Sequence, residues 1–184
     1  ISDRPTAPGY IGFTEAVARG RLGCDAYYAL DLEQPSSLLA SSKITPGTYD
    51  LVVFAEVLEH LVVNPTELIE QLLQLLKPDG FLYLTTPNLF RHENRERWLA
   101  LENPQAVFPG QEANWDRHHH HREYGAIELA RFINAAGGHI AAFYYSSCWD
   151  LWEGLAEDER GNLVFVIALP NGLQHGGPSI DDSH

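Results

Sequence analysis

The stretch Tyr49-Asp50-Leu51-Val52-Val53-Phe54-Ala55-Glu56-Val57-Leu58-Glu59-His60 decides the fold. Leu51 to Phe54 is a short apolar run with β-branched residues at its centre. A continuous run of this kind reads as a strand buried on both faces, as a parallel sheet requires. Two carboxylates and an imidazole follow it at Glu56, Glu59 and His60. In open α/β sheets, ligands bind just past the carboxyl ends of the strands. The same stretch therefore offers the centre of a sheet and one wall of a candidate site. The plainer reading is a core strand running into a solvated helix start.

Outward from this run, the pattern repeats. Asn64 is suited to cap a helix, with Pro65 at its first position and Glu67 at its third. Leu68, Leu72, Leu75 and Leu76 form a stripe at helical spacing, and Lys77-Pro78-Asp79-Gly80 is expected to stop the helix. Phe81 to Thr86 is the next strand, with Leu82 and Leu84 on one face and Phe81, Tyr83 and Thr85 on the other. Strand, helix and strand at this spacing make a βαβ unit with parallel strands. Upstream, residues 1–12 have loop composition, 13–19 suit a short helix ended by Gly20, and Ala26 to Leu30 reads as a short strand leading to Asp31. Pro35 to Ser42 is a turn or a short helical piece.

Residues 89–124 break the rhythm, with Trp98, Phe108, Trp115 and the run His118-His119-His120-His121. The segment is too long for a plain connection and reads as a lid or substrate-facing insertion, with a helix over Arg91 to Leu101. Ile127 to Ala136 is amphipathic and is followed by Gly137-Gly138; Ile140 to Tyr145 and Leu163 to Leu169 are strands. Cys148 to Leu155 reads as an aromatic loop and Glu157 to Asn162 as a charged turn. Residues 1–170 are expected to form a single domain, with 171–184 a disordered tail.

Composition narrows the class. The 184 residues suffice for one domain with a sizeable core, and 45% hydrophobic with 20% charged residues is ordinary for a globular protein. No apolar run is long enough for a membrane span, and nothing reads as a signal peptide. Cys24 and Cys148 fit no metal spacing and no disulfide framework, which suits a reducing cytoplasm. A net charge of −13 with no Lys/Arg block argues against nucleic acid as the partner. The chain begins at Ile1 and has no methionine, as a fragment would, or a chain from which residues have dropped out.

The run from Tyr49 to Leu61, the segment Leu75 to Leu82, the following Leu84-Thr85-Thr86-Pro87-Asn88 and the later His121-Arg122-Glu123-Tyr124 together resemble class I S-adenosylmethionine-dependent methyltransferases of the type 11/23-like group. Order and spacing agree from about Ala26 to about Leu169. The resemblance implies a Rossmann-like α/β sheet, mostly parallel with one antiparallel strand, in which Leu51 to Phe54 belongs to the fourth of seven strands. It implies S-adenosylmethionine as cofactor, with Asp31 accepting from the adenine amino group beside Leu32, and Phe54, Ala55 and Glu56 lining the methionine and ribose side. As a loop residue or helix cap, Asp31 would do none of this.

The chain departs from the family at the front. No glycine-rich loop follows an apolar strand upstream of Asp31, and neither Gly9–Gly12 nor Gly20–Gly23 replaces it. Without the strand that carries that loop, Leu51 to Phe54 would lie at an open hydrophobic edge. Three readings remain: the chain lacks residues, a partner or residues 1–25 cover the edge, or the domain no longer binds the cofactor.

Candidate catalytic groups are His60, Glu59 and His120. An imidazole near its ordinary pKa suits a general base. If a helix begins near Glu56, then Glu56, Glu59 and His60 share one face and, with His120, could hold a divalent metal. That pattern is similar to the site of metal-dependent small-RNA 2′-O-methyltransferases. The expected function is methyl transfer to a small-molecule acceptor, with oxygen the expected atom. The alternatives are a non-catalytic methyltransferase-like binding or scaffold domain and a metal-assisted RNA 2′-O-methyltransferase. A nicotinamide dehydrogenase stands further off, since its glycine fingerprint is also missing.

Overall fold

The computed structural model describes residues 19–20, 23–28, 30–105, 120–147 and 156–170. The elements in chain order are α1 (Ser36–Ala40), β1 (Tyr49–Ala55), a 3₁₀ turn (Leu58–His60), α2 (Pro65–Leu73), β2 (Leu76–Pro87), α3 (His92–Leu99), α4 (Ala126–Ala135), β3 (His139–Ser146), a second 3₁₀ turn (Glu157–Glu159) and β4 (Asn162–Ala168). The strands form one sheet in the order β1-β2-β4-β3. β1 and β2 are parallel, and β4 is antiparallel to both β2 and β3. β4 alone therefore runs against the others, and the expected α/β sheet with one antiparallel strand is present.

The βαβ unit forms as its capping residues dictate. Asn64 Oδ1 accepts from the Thr66 amide at 3.1 Å and its Nδ2 donates to Glu67 at 3.0 Å, so two groups at the first turn of α2 are satisfied. Leu68, Ile69, Leu72 and Leu73 bury the apolar stripe. The helix ends earlier than expected, at Leu73, and Lys77-Pro78-Asp79-Gly80 lies inside β2 rather than between helix and strand. Tyr49 pairs with Leu76 but Leu51 with Phe81, so residues 77–80 bulge out of the ladder. Lys77 Nζ reaches the Asp50 carboxylate at 2.6 Å across the bulge. A Cβ on Gly80 would lie 2.7 Å from the Tyr49 carbonyl oxygen, so only glycine fits this approach.

β1 is buried on one face, not two. Val52 and Phe54 face the core with Leu82, Leu84, Phe165 and Ile167, beneath α2 and α4. Leu51 and Val53 point the other way and are 56% and 60% exposed. Phe81 and Tyr144, also exposed, share that face. The apolar run is a strand as expected, but among the described residues no layer covers its second face.

The expected strand over Ala26 to Leu30 does not form: residues 26–28 and 30 belong to no ladder. Tyr28 and Leu30 instead pack against the core cluster, and the chain then turns at Asp31 into α1. The expected helices over Arg91 to Leu101 and Ile127 to Ala136, and the last two strands, are present within one or two residues. The helix over 13–19 (apart from Arg19), the aromatic loop 148–155, Phe108, Trp115, His118, His119 and the tail 171–184 lie outside the described residues. No helix among the described residues is long and apolar enough to cross a membrane.

The one-sided core makes a direct prediction. Leu84→Ala, at a fully buried site, is expected to lower unfolding free energy by about 2–5 kcal/mol. Val53→Ala should change it by less than about 1 kcal/mol. Urea unfolding of both variants checks this, and equal losses would show that the second face is covered.

Candidate functional site

Because β1 and β2 are parallel, both end at the same edge of the sheet. Glu56 follows β1 with a positive φ of 52°, which is uncommon for a residue with a side chain. Its amide continues the ladder by donating to the Thr85 carbonyl at 3.0 Å. Its carboxylate accepts from Thr85 Oγ1 at 2.6 Å and from Asn162 Nδ2 at 2.8 Å, tying β1 to β2 and β4. No helix starts at Glu56. The chain makes the 3₁₀ turn Leu58–His60 instead, with Leu58 fully buried.

That turn sends Glu59 to the other face of the sheet from Glu56. Glu59 is 1% exposed and accepts from Thr86 Oγ1 at 3.0 Å. Neighbouring β2 residues point to opposite faces, so Thr85 serves Glu56 and Thr86 serves Glu59. The expected shared face of Glu56, Glu59 and His60 is therefore not formed. Glu59, His60 and His120 come together instead.

His120 is delivered by the backbone. The amides of His121 and Arg122 donate to the Glu59 carbonyl at 2.7 and 3.3 Å. Leu89 donates to the Tyr124 carbonyl at 3.0 Å, setting residues 120–124 beside the end of β2. The His60 and His120 rings meet edge to face with centroids 5.0 Å apart. His60 Nε2 lies 3.6 Å from Glu59 Oε1. Each of Glu59, His60 and His120 offers one ligand atom, all within 4.8 Å of one another, and both rings are half-buried.

Behind His120 stands Glu123, which is 4% exposed. Its Oε1 meets His120 Nδ1 at 2.8 Å. Its Oε2 accepts from Arg91 at 2.5 Å and from Asn94 Nδ2 at 2.8 Å. Burial alone would push the Glu123 carboxyl up, but the hydrogen bonds from His120 and Arg91 outweigh it and bring it down to about 2. The hydrogen bond to Glu123 raises His120. Glu59 moves the opposite way to Glu123. Burial pushes it up to about 7; its backbone hydrogen bond partly offsets this, and nearby Glu56 adds to the rise.

Asp31 sits on the turn into α1, its carboxylate exposed. Oδ1 accepts from the Glu33 amide at 3.0 Å and Oδ2 from Gln34 Nε2 at 3.1 Å. Glu33 accepts from the Val62 amide at 3.4 Å, which holds this turn near the chain leaving His60. Leu32 and Phe54 have their side chains in the core, whereas Ala55 is exposed. Sequence reasoning gave no site role to Glu123, Arg91, Asn94, Thr86 or Asn162. Glu123 and Thr86 stood within quoted motifs, but Arg91, Asn94 and Asn162 carried no signal of their own.

The two shifted carboxyls act on stability with opposite signs. Glu59 rises from 4.5 to about 7, so its contribution to folding is complete below about pH 4.5 and is lost as pH climbs to about 7. Glu123 falls from 4.5 to about 2, so its contribution is present above about pH 4.5 and is lost as pH drops towards 2. Glu59→Gln should thus gain about 1–3 kcal/mol over the parent protein between about pH 5 and about pH 8. Urea unfolding with chelator present measures the difference; a constant offset across that range would contradict the buried carboxyl.

A family model described as a methyltransferase domain matches residues 13–141, more than half of the chain. No curated protein matches it. Among solved structures, an S-adenosylmethionine dependent methyltransferase from Mesorhizobium loti aligns at TM-score 0.53 and 17% identity, over 84% of this chain and 76% of that one. A SAM dependent methyltransferase from Archaeoglobus fulgidus aligns at 0.53 and 11%, over 84% and 72%. A chain of the complex between the Haloferax volcanii Trm112 methyltransferase activator and a methyltransferase aligns at 0.52 and 16%, over 86% and 69%. Identities this low carry the fold alone, and the chain spans less than two thirds of the length of several other structures it resembles. With the family model covering the strand–helix–strand unit and the residues that build the cluster at its edge, the chain belongs to the class I S-adenosylmethionine-dependent methyltransferase family.

Proposed function

We propose that this chain transfers a methyl group from S-adenosylmethionine to a small-molecule acceptor through an oxygen nucleophile. The observation that carries this reading is the cluster of Glu59, His60 and His120 at the edge where β1 and β2 both end. Residues 1–170 act as one domain in this reading, with 89–124 facing the substrate.

The residues present fit the adenosine end of the cofactor. The exposed Asp31 carboxylate uses one lone pair on each oxygen for its own turn and keeps acceptor capacity for an adenine amino group. Ala55 and the main chain at Glu56 would line the sheet side; Leu32 and Phe54 would support that wall from the core. When bound, S-adenosylmethionine supplies an electrophilic methyl group on a sulfonium. The protein's own task is to hold the acceptor and take its proton. His120 and His60 are half-buried imidazoles suited to that, and Glu59 sits beside them as a buried carboxyl. The negative overall charge favours a small molecule over RNA.

A second reading, a divalent metal held by Glu59, His60 and His120, is favoured by their mutual distances and by the carboxylate behind His120, an arrangement common for metal-bound imidazoles. Glu56, also a candidate ligand, is engaged by Thr85 and Asn162 on the opposite face.

Titration calorimetry with S-adenosylhomocysteine is expected to show binding, weakened about tenfold or more by Asp31→Ala. No binding by the intact full-length protein would favour a non-catalytic scaffold. For the metal, Glu59→Ala and His120→Ala should each weaken binding of Mn²⁺ or Zn²⁺; full activity in excess chelator would remove that reading.

A further inference from the structure

We infer that Glu123, itself held by Arg91 and Asn94, is a positioning residue that orients His120 so that Nε2 is the ring nitrogen presented to Glu59 and His60. This rests on the proposed methyl-transfer reading only for its catalytic consequence, not for its geometry.

Two acceptor oxygens of one carboxylate divide the work. Oε2 takes both anchoring bonds, from the Arg91 guanidinium and the Asn94 amide, which come from successive turns of chain at the start of α3. Asn94 is 1% exposed and also donates to the Leu89 carbonyl at 2.9 Å, so its amide has no freedom to turn away. Oε1 is left for His120 alone. An ionised carboxylate only accepts, so a hydrogen bond at 2.8 Å requires that His120 Nδ1 carry the proton. In the neutral ring the lone pair is then on Nε2, which makes no hydrogen bond among the described residues. The amides of His121 and Arg122 hold the adjacent backbone on the Glu59 carbonyl, independently of Glu123. Within the cluster, His60 meets the ring edge to face and Glu59 gives its Oε2 to Thr86, so Glu123 is the carboxylate at hydrogen-bond distance from Nδ1. This is the role that a carboxylate behind an imidazole plays in many sites: it selects the tautomer and the direction of the lone pair.

Arg91 and Asn94 stand near the start of α3 and His120 and Glu123 some thirty residues later, so the ion pair and the amide hydrogen bond join two segments distant in the chain.

The test is ¹⁵N NMR of the histidine rings in the full chain, chelator-treated and at alkaline pH, where the ring is neutral. His120 in the parent protein is expected to show a protonated Nδ1 and an unprotonated Nε2. Glu123→Ala is expected to shift the proton towards Nε2. Because removing Glu123 takes from the half-buried Arg91 its nearest carboxylate, Glu123→Asp is the second variant: it keeps the charge for Arg91 but shortens the reach to His120, and should shift the tautomer in the same direction. In turnover, both variants should lower kcat about tenfold or more while the acceptor KM stays within about twofold. A parent ring protonated at Nε2, or a tautomer unchanged in both variants, overturns the inference. Absence of any methyl transfer would count against the proposed function and leave the tautomer result to decide this one.

Discussion

The parallel pairing of β1 with β2 is the constraint on which the rest depends. A parallel pair needs a crossover, here α2, and both of its strands finish at the same edge. That edge is where Glu56 to His60 leave β1 and where Thr85, Thr86 and Asn88 leave β2. The alternation of β2 then sorts the carboxylates: Thr85 holds Glu56 on one face and Thr86 holds Glu59 on the other. A single register thus decides which acidic residue braces the sheet and which joins the histidines.

Electrostatics divides the three carboxylates further. Glu56 is held by two neutral donors and acts as a brace between strands. Glu123 is buried among an arginine, an asparagine and an imidazole, and it stays charged. Glu59 is buried with less compensation, and burial raises it to about 7. A cluster holding one firmly ionised and one readily protonated carboxyl around an imidazole keeps the charges of the cluster ordered without a large net field. Hydrogen bonding, not burial, separates the two, since both are almost fully enclosed.

Much of this was legible in the letters. The strand at Leu51 to Phe54, the Asn64-Pro65 cap and the helix that carries Leu68 and Leu72 depend on local chemistry and appear as read, although the strand is buried on one face only and the helix stops before Leu75 and Leu76. The grouping of Glu59, His60 and His120 followed from a family pattern and the geometry brings them together. What was illegible depended on partners distant in the chain. A strand at 26–30 had the right composition but found no ladder. The second face of β1 has the right side chains but no layer over it among the described residues. Lys77 to Gly80 has the composition of a stop, yet it bulges within β2, because the approach of Gly80 to the Tyr49 carbonyl is a tertiary fact. Glu123 stood in the His-Arg-Glu-Tyr stretch without a role of its own, since nothing local says that Arg91 and Asn94 will reach it.

The Glu56–Asn162 hydrogen bond spans 106 positions of chain, and this bears on the order of assembly. Loop closure entropy grows with the logarithm of the length enclosed, and long-range strand pairing slows folding. The βαβ unit can form from neighbours, but the brace at its edge waits until β4 has threaded back between β2 and β3. The Glu56 brace is therefore complete only once β4 is in place. A chain caught before that would display a formed helix and strand pair with its edge still unbraced.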